Sequence, residues 1–156
     1  MNGHKYGGAI LKININEDSS LQDMELIINC KKTDEKVLKI VAMLSVIDKK
    51  ITGIKNNLTY ILDVSKILYI DTVDKKTFFY TKDDVYETPL KLYELEEQLE
   101  SSDFFRAGKS IIINFNQIKA LKPDIDGRIL VTMNNDEKLF VSRQYASTIK
   151  NKLEVI

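Results

Sequence analysis

The chain has 156 residues, enough for one domain or for one domain with a small appendage, and its 23 basic side chains are balanced by 23 acidic ones. A net charge of zero argues against a protein that binds nucleic acid through a general excess of positive charge. The single cysteine, Cys30, cannot form a disulfide within the chain, and no apolar run approaches 18 residues, so we predict a cytoplasmic protein without a membrane segment.

The N-terminal third predicts a small β-β-α unit. The glycine-rich residues 1–8 are set aside, and the apolar runs at 9–15 and 24–29 have the length of strands. Asp34 is placed to cap a following helix. The apolar residues of that helix recur at helical spacing, and they are Val37, Ile40, Val41, Leu44 and Ile47. Residues 1–50 are therefore predicted to be an N-terminal extension.

From residue 51 onward the apolar pattern changes to the period of two that is typical of strands. The strands are predicted at 51–55, 58–63, 67–73, 76–81, 85–87, 103–106, 110–114, 118–122, 128–133 and 138–141. Turns are indicated at Asn56-Asn57, Asp74-Lys75 and Asp126-Gly127. Thr88-Pro89 indicates a helix start, and a last helix is predicted over 142–153. The fold class is therefore mainly β with short helices, and residues 51–156 form its main domain.

The residue types that catalysis needs are scarce. His4 is the only histidine, and it lies in the segment that was set aside, which argues against a histidine-dependent nucleophile. No cysteine and histidine cluster has metal-ligand spacing. The triplet Gly108-Lys109-Ser110 ends like a nucleotide-binding loop, but no glycine-rich loop precedes it. We therefore predict a protein that is not an enzyme and holds no cofactor.

Three polar loops beside apolar strands remain as candidate binding sites. Gly108-Lys109-Ser110 combines a flexible glycine with a cation and a hydroxyl, which suits phosphate and base contacts, although an ordinary surface turn has the same composition. Ser142-Arg143-Gln144 opens the last helix, where Arg143 can reach an anion and Ser142 can simply cap the helix. Residues 71–76 contain two lysines, and their pattern favours a plain hairpin tip over a binding loop. Residues 101–156 hold nine basic and six acidic side chains, which places any anion-binding face there.

These pieces occur in an order and spacing that resemble the LytTR-type DNA-binding domains of bacterial transcription regulators. Phe104 to Ser110 matches a Phe-x-Arg-x-x-x-Ser strand and loop, and an apolar run ending in Asn114 follows it. Val141 to Tyr145 matches Val-Ser-Arg-x-Tyr before a terminal helix. The resemblance covers roughly residues 51–155. Residues 1–50 fall outside it and are too short for the receiver domain that many members carry.

The resemblance implies an elongated, mostly β fold whose loops enter successive major grooves of DNA. Lys109, Ser110 and Arg143 are then the leading contact candidates, and Arg106 is expected to be mainly structural and paired to a carboxylate. The full set of candidates is Thr72, Lys75, Lys76, Gly108, Lys109, Ser110, Arg143 and Gln144. Family members often have histidine before the serine, where this chain has Gly108-Lys109, and this difference leaves the base preference open.

The sequence therefore predicts a transcription regulator that binds double-stranded DNA sequence-specifically. The alternative is a protein-interaction module on the same scaffold that does not bind DNA, which zero net charge favours. A homodimer is predicted, with residues 9–50 as its candidate surface, because one small footprint on DNA gives limited affinity.

Overall fold

The computed structural model describes residues 11–45 and 49–155. Contacts divide the chain into two units between Lys32 and Thr33. The first helix, α1 (Glu35–Ser45), therefore belongs to the same unit as the strands that follow it. A separate domain limited to residues 51–156 stays a prediction.

Residues 11–32 contain no strand or helix, so the strands predicted within 9–15 and 24–29 are absent from the described part of those segments. A turn forms at Asp18, whose carboxylate accepts hydrogen bonds from the backbone N–H of Ser20 at 3.0 Å and from its hydroxyl at 2.6 Å. The apolar side chains here are exposed, Met24 by 79%. An alternating pattern forms a strand only where a neighbouring strand pairs with its backbone groups. The described residues of this first unit, 11–32, contain no such strand.

The helix predicted after Asp34 is confirmed. The Asp34 carboxylate accepts a hydrogen bond from the backbone N–H of Val37 at 3.0 Å, which caps α1. Val37, Ile40 and Leu44 are half-buried, as an amphipathic helix requires, whereas Val41 is 48% exposed. Ile47, at the end of the predicted stripe, lies outside the described residues, as do residues 9 and 10 and His4.

All ten strands predicted after residue 50 are present. They are β1 (Lys50–Lys55), β2 (Leu58–Asp63), β3 (Tyr69–Val73), β4 (Lys76–Tyr80), β5 (Val85–Thr88), β6 (Phe104–Arg106), β7 (Ile111–Asn114), β8 (Ile118–Pro123), β9 (Ile129–Met133) and β10 (Lys138–Val141). Two further helices are α2 (Leu92–Gln98) and α3 (Ala146–Val155). The predicted mainly β class with short helices is confirmed.

Of the three predicted turns, Asn56-Asn57 and Asp74-Lys75 are confirmed as two-residue turns by their backbone angles. Asn56 and Asn57 have φ of 52° and 64°, and Asp74 and Lys75 have φ of 51° and 67°. Two successive left-handed residues match the right-handed twist of the strands that they join. These turns fix the register of β1 with β2 and of β3 with β4, with Lys55 opposite Leu58 and Val73 opposite Lys76.

Helix α2 begins later than its predicted start at Thr88-Pro89. The Thr88 hydroxyl accepts a hydrogen bond from the backbone N–H of Leu90 at 3.2 Å and holds a bend there. The helix opens at Leu92, where the Glu94 carboxylate accepts a hydrogen bond from the backbone N–H of Lys91 at 3.1 Å. The last predicted helix is also divided, because residues 143–145 form a 3-10 turn before α3.

The strands form two antiparallel sheets. The seven-stranded sheet has the order β2-β1-β5-β4-β3-β7-β6, and the three-stranded sheet has the order β10-β9-β8. One face of the larger sheet packs on α2, and this core includes Ile70, Phe79, Leu95, Leu99 and Ile112. Its other face packs on the smaller sheet and α3. That second core includes Tyr69, Phe105, Ile113, Val131, Met133 and Ile149.

Polar contacts join the layers where they meet. Tyr69 donates a hydrogen bond from its hydroxyl to the Glu137 carboxylate at 2.5 Å, and its ring stacks on Tyr80 at 4.3 Å between centroids. Lys152 of α3 pairs with Asp103 at 2.9 Å, just before β6. Asn114 is buried at the end of β7, and its side-chain amide donates a hydrogen bond to the Ile67 carbonyl at 2.8 Å. The strands β3, β6 and β7 are thus held on both faces.

Candidate nucleic-acid interface

The loop between β6 and β7 carries Gly108, Lys109 and Ser110, and Arg106 holds its backbone. The Arg106 guanidinium donates hydrogen bonds to the Gly108 carbonyl at 2.7 Å and to the Lys109 carbonyl at 2.5 Å. It also pairs with Glu96 of α2 at 3.0 Å. The expectation that Arg106 is structural and paired to a carboxylate is therefore confirmed. Because both carbonyls are held, the exposed Lys109 and Ser110 side chains project from a fixed backbone.

Close packing favours glycine at position 108. Its φ is not among the left-handed values of the described residues, so the loop does not need glycine for its backbone conformation. An added Cβ would lie 3.2 Å from the Cγ2 atom of Ile111, tighter than an ordinary contact. The backbone N–H groups of Ala107 and Gly108 both donate to the Ile111 carbonyl, at 2.9 and 3.3 Å. Gly108 thus lets the chain turn closely over the first residue of β7.

The hairpin tip between β3 and β4 lies directly beside this loop. The backbone N–H of Thr72 donates a hydrogen bond to the Ser110 carbonyl at 2.9 Å, and the Thr72 and Thr77 hydroxyls are 3.2 Å apart. Lys75 and Lys76 are exposed at the tip. Lys76 lies 3.8 Å from the Glu87 carboxylate, so part of its charge is balanced within the protein.

The segment before α3 is joined to the same loop from the other side. The backbone N–H of Ser142 donates a hydrogen bond to the Ala107 carbonyl at 2.9 Å. The Ser142 side chain makes no capping hydrogen bond, so the simple capping role considered from the sequence is wrong. Arg143 and Gln144 are exposed within the 3-10 turn. The structure therefore brings all eight predicted residues into three adjoining loops.

Gly127, which the sequence indicated only as a turn, lies against the side chain of the candidate contact residue Arg143. It has a φ of 75°, and a Cβ added there would lie 2.9 Å from the Cγ and 3.0 Å from the Cδ atom of Arg143. The Arg143 side chain therefore lies across the turn between β8 and β9. The nearby Arg128 is held differently, because it pairs with Asp124 at 2.8 Å and stacks on Phe140 at 4.3 Å. The Asp126-Gly127 signal predicted the turn, but not its contact with Arg143.

Among the described residues, the groups whose pKa departs from its usual value lie outside these loops. Burial, more than the hydrogen bond to Glu137, raises the pKa of Tyr69, and burial also raises the pKa of Tyr80. Hydrogen bonding to Lys119 holds the pKa of Asp136 below its usual value. Within residues 11–45 and 49–155 no group of three or more histidine, cysteine or acidic side chains is arranged to hold a metal ion.

Comparison with known proteins identifies the family. The LytTr DNA-binding domain matches residues 57–154, more than half of the chain, and the chain belongs to this family. A solved structure, the LytTr DNA-binding domain of a putative methyl-accepting/DNA response regulator from Bacillus cereus, is 31% identical with a TM-score of 0.64. The match covers 68% of this chain and 97% of the chain of that solved structure. The predicted resemblance and fold are thereby confirmed.

Full-length relatives extend the match beyond this domain. A protein named as an uncharacterized HTH-type transcriptional regulator from Staphylococcus aureus strain COL is 30% identical over 147 residues, which are 93% of this chain and 97% of that protein. A second, from strain MW2, is 26% identical over 148 residues. In the described part of this chain, strands separate the three α-helices along the sequence, so the helix-turn-helix in those names has no counterpart there.

No helix among the described residues is both long and apolar enough to cross a membrane.

Proposed function

We propose that this protein is a transcription regulator that binds double-stranded DNA sequence-specifically and inserts three loops into the major groove. The three loops are Thr72 to Lys76, Gly108 to Ser110, and Ser142 to Gln144. Membership of a DNA-binding family and homology to proteins named as transcriptional regulators support the broader role. The groove, the contacts and the specificity are the proposed part.

The observation that carries the proposal is the pair of backbone hydrogen bonds that join the loops. Ser110 accepts from Thr72, and Ala107 accepts from Ser142, so the middle loop is bonded to both neighbours. A surface that reads base edges must hold its side chains in a defined register, because a displaced donor loses its hydrogen bond. Loops that share backbone hydrogen bonds meet that requirement better than independent loops do.

The side chains at these loops suit a polyanion. Lys109, Arg143 and Lys75 are exposed cations at the tips, and Ser110, Thr72 and Gln144 add hydrogen-bonding groups between them. Arginine can donate two hydrogen bonds to one guanine, whereas lysine acts more as a point charge for phosphate. We therefore assign base contact chiefly to Arg143 and Gln144. The loop of Lys109 and Ser110 contacts phosphate or a base edge.

The test begins with a DNA site selected from a random double-stranded pool by the full chain. Lys109→Ala and Arg143→Ala should each weaken binding to that site by about 1–3 kcal/mol, or roughly 5- to 150-fold. Loss of a base contact should also relax specificity at one position, while loss of a phosphate contact should lower affinity evenly across sequences. Fluorescence anisotropy with matched and single-mismatch duplexes measures both effects.

Lys82→Ala is the matched control. Lys82 is exposed in the turn after β4, at the opposite end of that strand from Lys75 and Lys76. It should bind like the wild type. The proposed contacts are wrong if Lys109→Ala and Arg143→Ala, both folded, bind the verified site as tightly as this control.

A salt titration separates this function from the protein-interaction module. DNA affinity should fall steeply as salt rises, since each phosphate contact releases counterions. A protein-interaction module should retain no DNA even at low salt. Action in the cytoplasm and a homodimer through residues 9–50 stay predictions from the sequence.

A further inference from the structure

Strand β2 forms one edge of the seven-stranded sheet and, apart from the charged Asp63 at its end, lacks the usual protection of such an edge. It pairs with β1 over six residues without a register shift, and it contains neither lysine nor proline. Ile61 is 75% exposed and Leu58 is 59% exposed. A long, regular and apolar edge strand is a template for pairing with another strand.

The other sheet edges carry protective features. Strand β8 ends in Pro123, contains Lys119 and Lys122, and has a register shift against β9. Strand β10 begins with Lys138, and β6 has only three residues, two of which are buried. These are the devices that keep sheet edges from pairing. Among the described sheet edges, β2 is therefore the one suited to accept another strand.

The pairing of β1 shows which backbone groups of β2 point outward. The two-residue turn at Asn56-Asn57 makes Lys55 and Leu58 a hydrogen-bonded pair, so the backbone groups of the next pair, Ile54 and Thr59, face away from each other. Beyond the end of the strand, the N–H of Val64 donates to the Lys49 carbonyl at 3.0 Å. In an antiparallel pair these directions alternate. Thr59 and Ile61 therefore direct their N–H and carbonyl groups outward, as Asp63 does its N–H.

We propose that β2 is a dimerisation strand, which pairs antiparallel with β2 of a second copy of this chain. A twofold axis at Ile61 places Ile61 opposite Ile61 of the second copy and Thr59 opposite Asp63. This register aligns all the outward groups as hydrogen-bonded pairs. Asp63 then meets a hydroxyl rather than a second carboxylate, so this register places no like charges opposite each other.

The side chains in this register fit on both faces. Tyr60 lies opposite Leu62 of the second copy, and aromatic with aliphatic cross-strand pairs are favourable. Ile61 of both copies lies on the face where Ile54 is also exposed. A strand of six residues is only about 20 Å long, so the contact is small and the dimer should be weak and reversible.

This surface goes beyond the proposed DNA contacts and does not depend on them. It also differs from the surface predicted from the sequence, residues 9–50. The two surfaces make opposite predictions for substitutions in β2, so one set of variants separates them.

Sedimentation of the full chain over a concentration series tests the association. The wild type should show a monomer–dimer equilibrium, and Ile61→Lys should weaken it by about tenfold or more, because two like charges would face each other across the axis. Ile125→Lys is the matched control, since Ile125 is 69% exposed on the turn between β8 and β9. It should dimerise like the wild type. A wild type that stays monomeric throughout, or a dimer that Ile61→Lys leaves unchanged, would overturn the proposal.

Cysteine cross-linking tests the register itself. With Cys30 replaced by serine, Ile61→Cys should form an intermolecular disulfide under mild oxidation, because directly opposed residues are about 5.5 Å apart at Cα, within disulfide range. Thr59→Cys should not, since its two copies would be four residues apart along the strands, about 14 Å. Equal cross-linking of both variants, or none from Ile61→Cys at concentrations where dimers sediment, refutes the register.

Discussion

The two ends of the seven-stranded sheet differ in what covers them. At the end formed by β3, β7 and β6, one face packs on α2 and the other on the smaller sheet and α3. At the end formed by β1 and β2, Ile54, Leu58 and Ile61 remain exposed. The candidate DNA loops project from the covered end. Packing on both faces of the sheet fixes the strand ends from which these loops project. The uncovered end keeps an edge available for another strand.

Two isoleucines of the same sheet should differ strongly in how much they stabilise the fold. Ile113→Ala removes a fully buried side chain from β7 and should lower the free energy of unfolding by about 2–5 kcal/mol. Ile61→Ala removes a side chain that is 75% exposed on β2 and should change it by about 0.5 kcal/mol or less. Urea denaturation, at a protein concentration low enough to keep the chain monomeric, measures the free energy of unfolding of both variants. Similar losses of stability in the two variants would show that the two ends of the sheet do not differ in packing.

Arg106→Ala tests whether the covered end also positions the middle loop. Loss of the hydrogen bonds to the Gly108 and Lys109 carbonyls should loosen the loop and weaken DNA binding by about tenfold, or 1.4 kcal/mol. Glu96→Gln should have a smaller effect, because the amide oxygen still accepts from Arg106. Fluorescence anisotropy with the selected DNA site measures the affinity of both variants. Equal losses of affinity would show that the ion pair between Arg106 and Glu96, rather than the hydrogen bonds to the loop carbonyls, positions the loop.

Gly127→Ala tests the contact that only the structure revealed. The new Cβ would strike the Arg143 side chain, and alanine at a φ of 75° costs roughly 1 kcal/mol of stability. DNA affinity should fall by several-fold through displacement of Arg143. If Gly127 acts through that side chain, the substitution should add little in an Arg143→Ala background. Additive losses in the double variant would contradict this route.

The last comparison is a pH dependence at the covered end, which has no effect on stability at neutral pH. Burial, and then the hydrogen bond to Glu137, raises the pKa of Tyr69, so the folded chain keeps this proton after the unfolded chain begins to lose it near pH 10. The stabilisation is full below that pH and declines above it, by up to about 1.4 kcal/mol per pH unit. Tyr69→Phe should show a shallower decline above pH 10 and the wild-type slope between pH 7 and 9. Parallel curves above pH 10 would exclude Tyr69 as the source.

Local patterns predicted the strands after residue 50 well, because each carries its own alternation and its own turn residues. Asn56-Asn57 and Asp74-Lys75 are examples, since each forms the turn that was predicted there. The prediction failed at 9–15 and 24–29, where the described residues have a similar apolar pattern but no strand. Such a pattern states which side chains would face a core, whereas a strand also needs a partner.

The candidate site was predictable in its residues and not in its assembly. The loop motifs, the family and the structural role of Arg106 could all be inferred from short segments. The capping role of Ser142 could not be judged, because its backbone instead donates to Ala107, 35 positions earlier in the chain. The role of Gly127 depends in the same way on where the Arg143 side chain lies.

Neighbouring residues alone establish the succession of strands along the chain, the turns and the chemical groups at the loop tips. The tertiary structure decided that Thr72, Ser110 and Arg143 belong to adjoining loops, that Gly127 supports Arg143, and that β2 is an open edge. Those features depend on pairings between residues far apart in sequence. Such pairings are selected by the packing of the whole sheet rather than by any one segment.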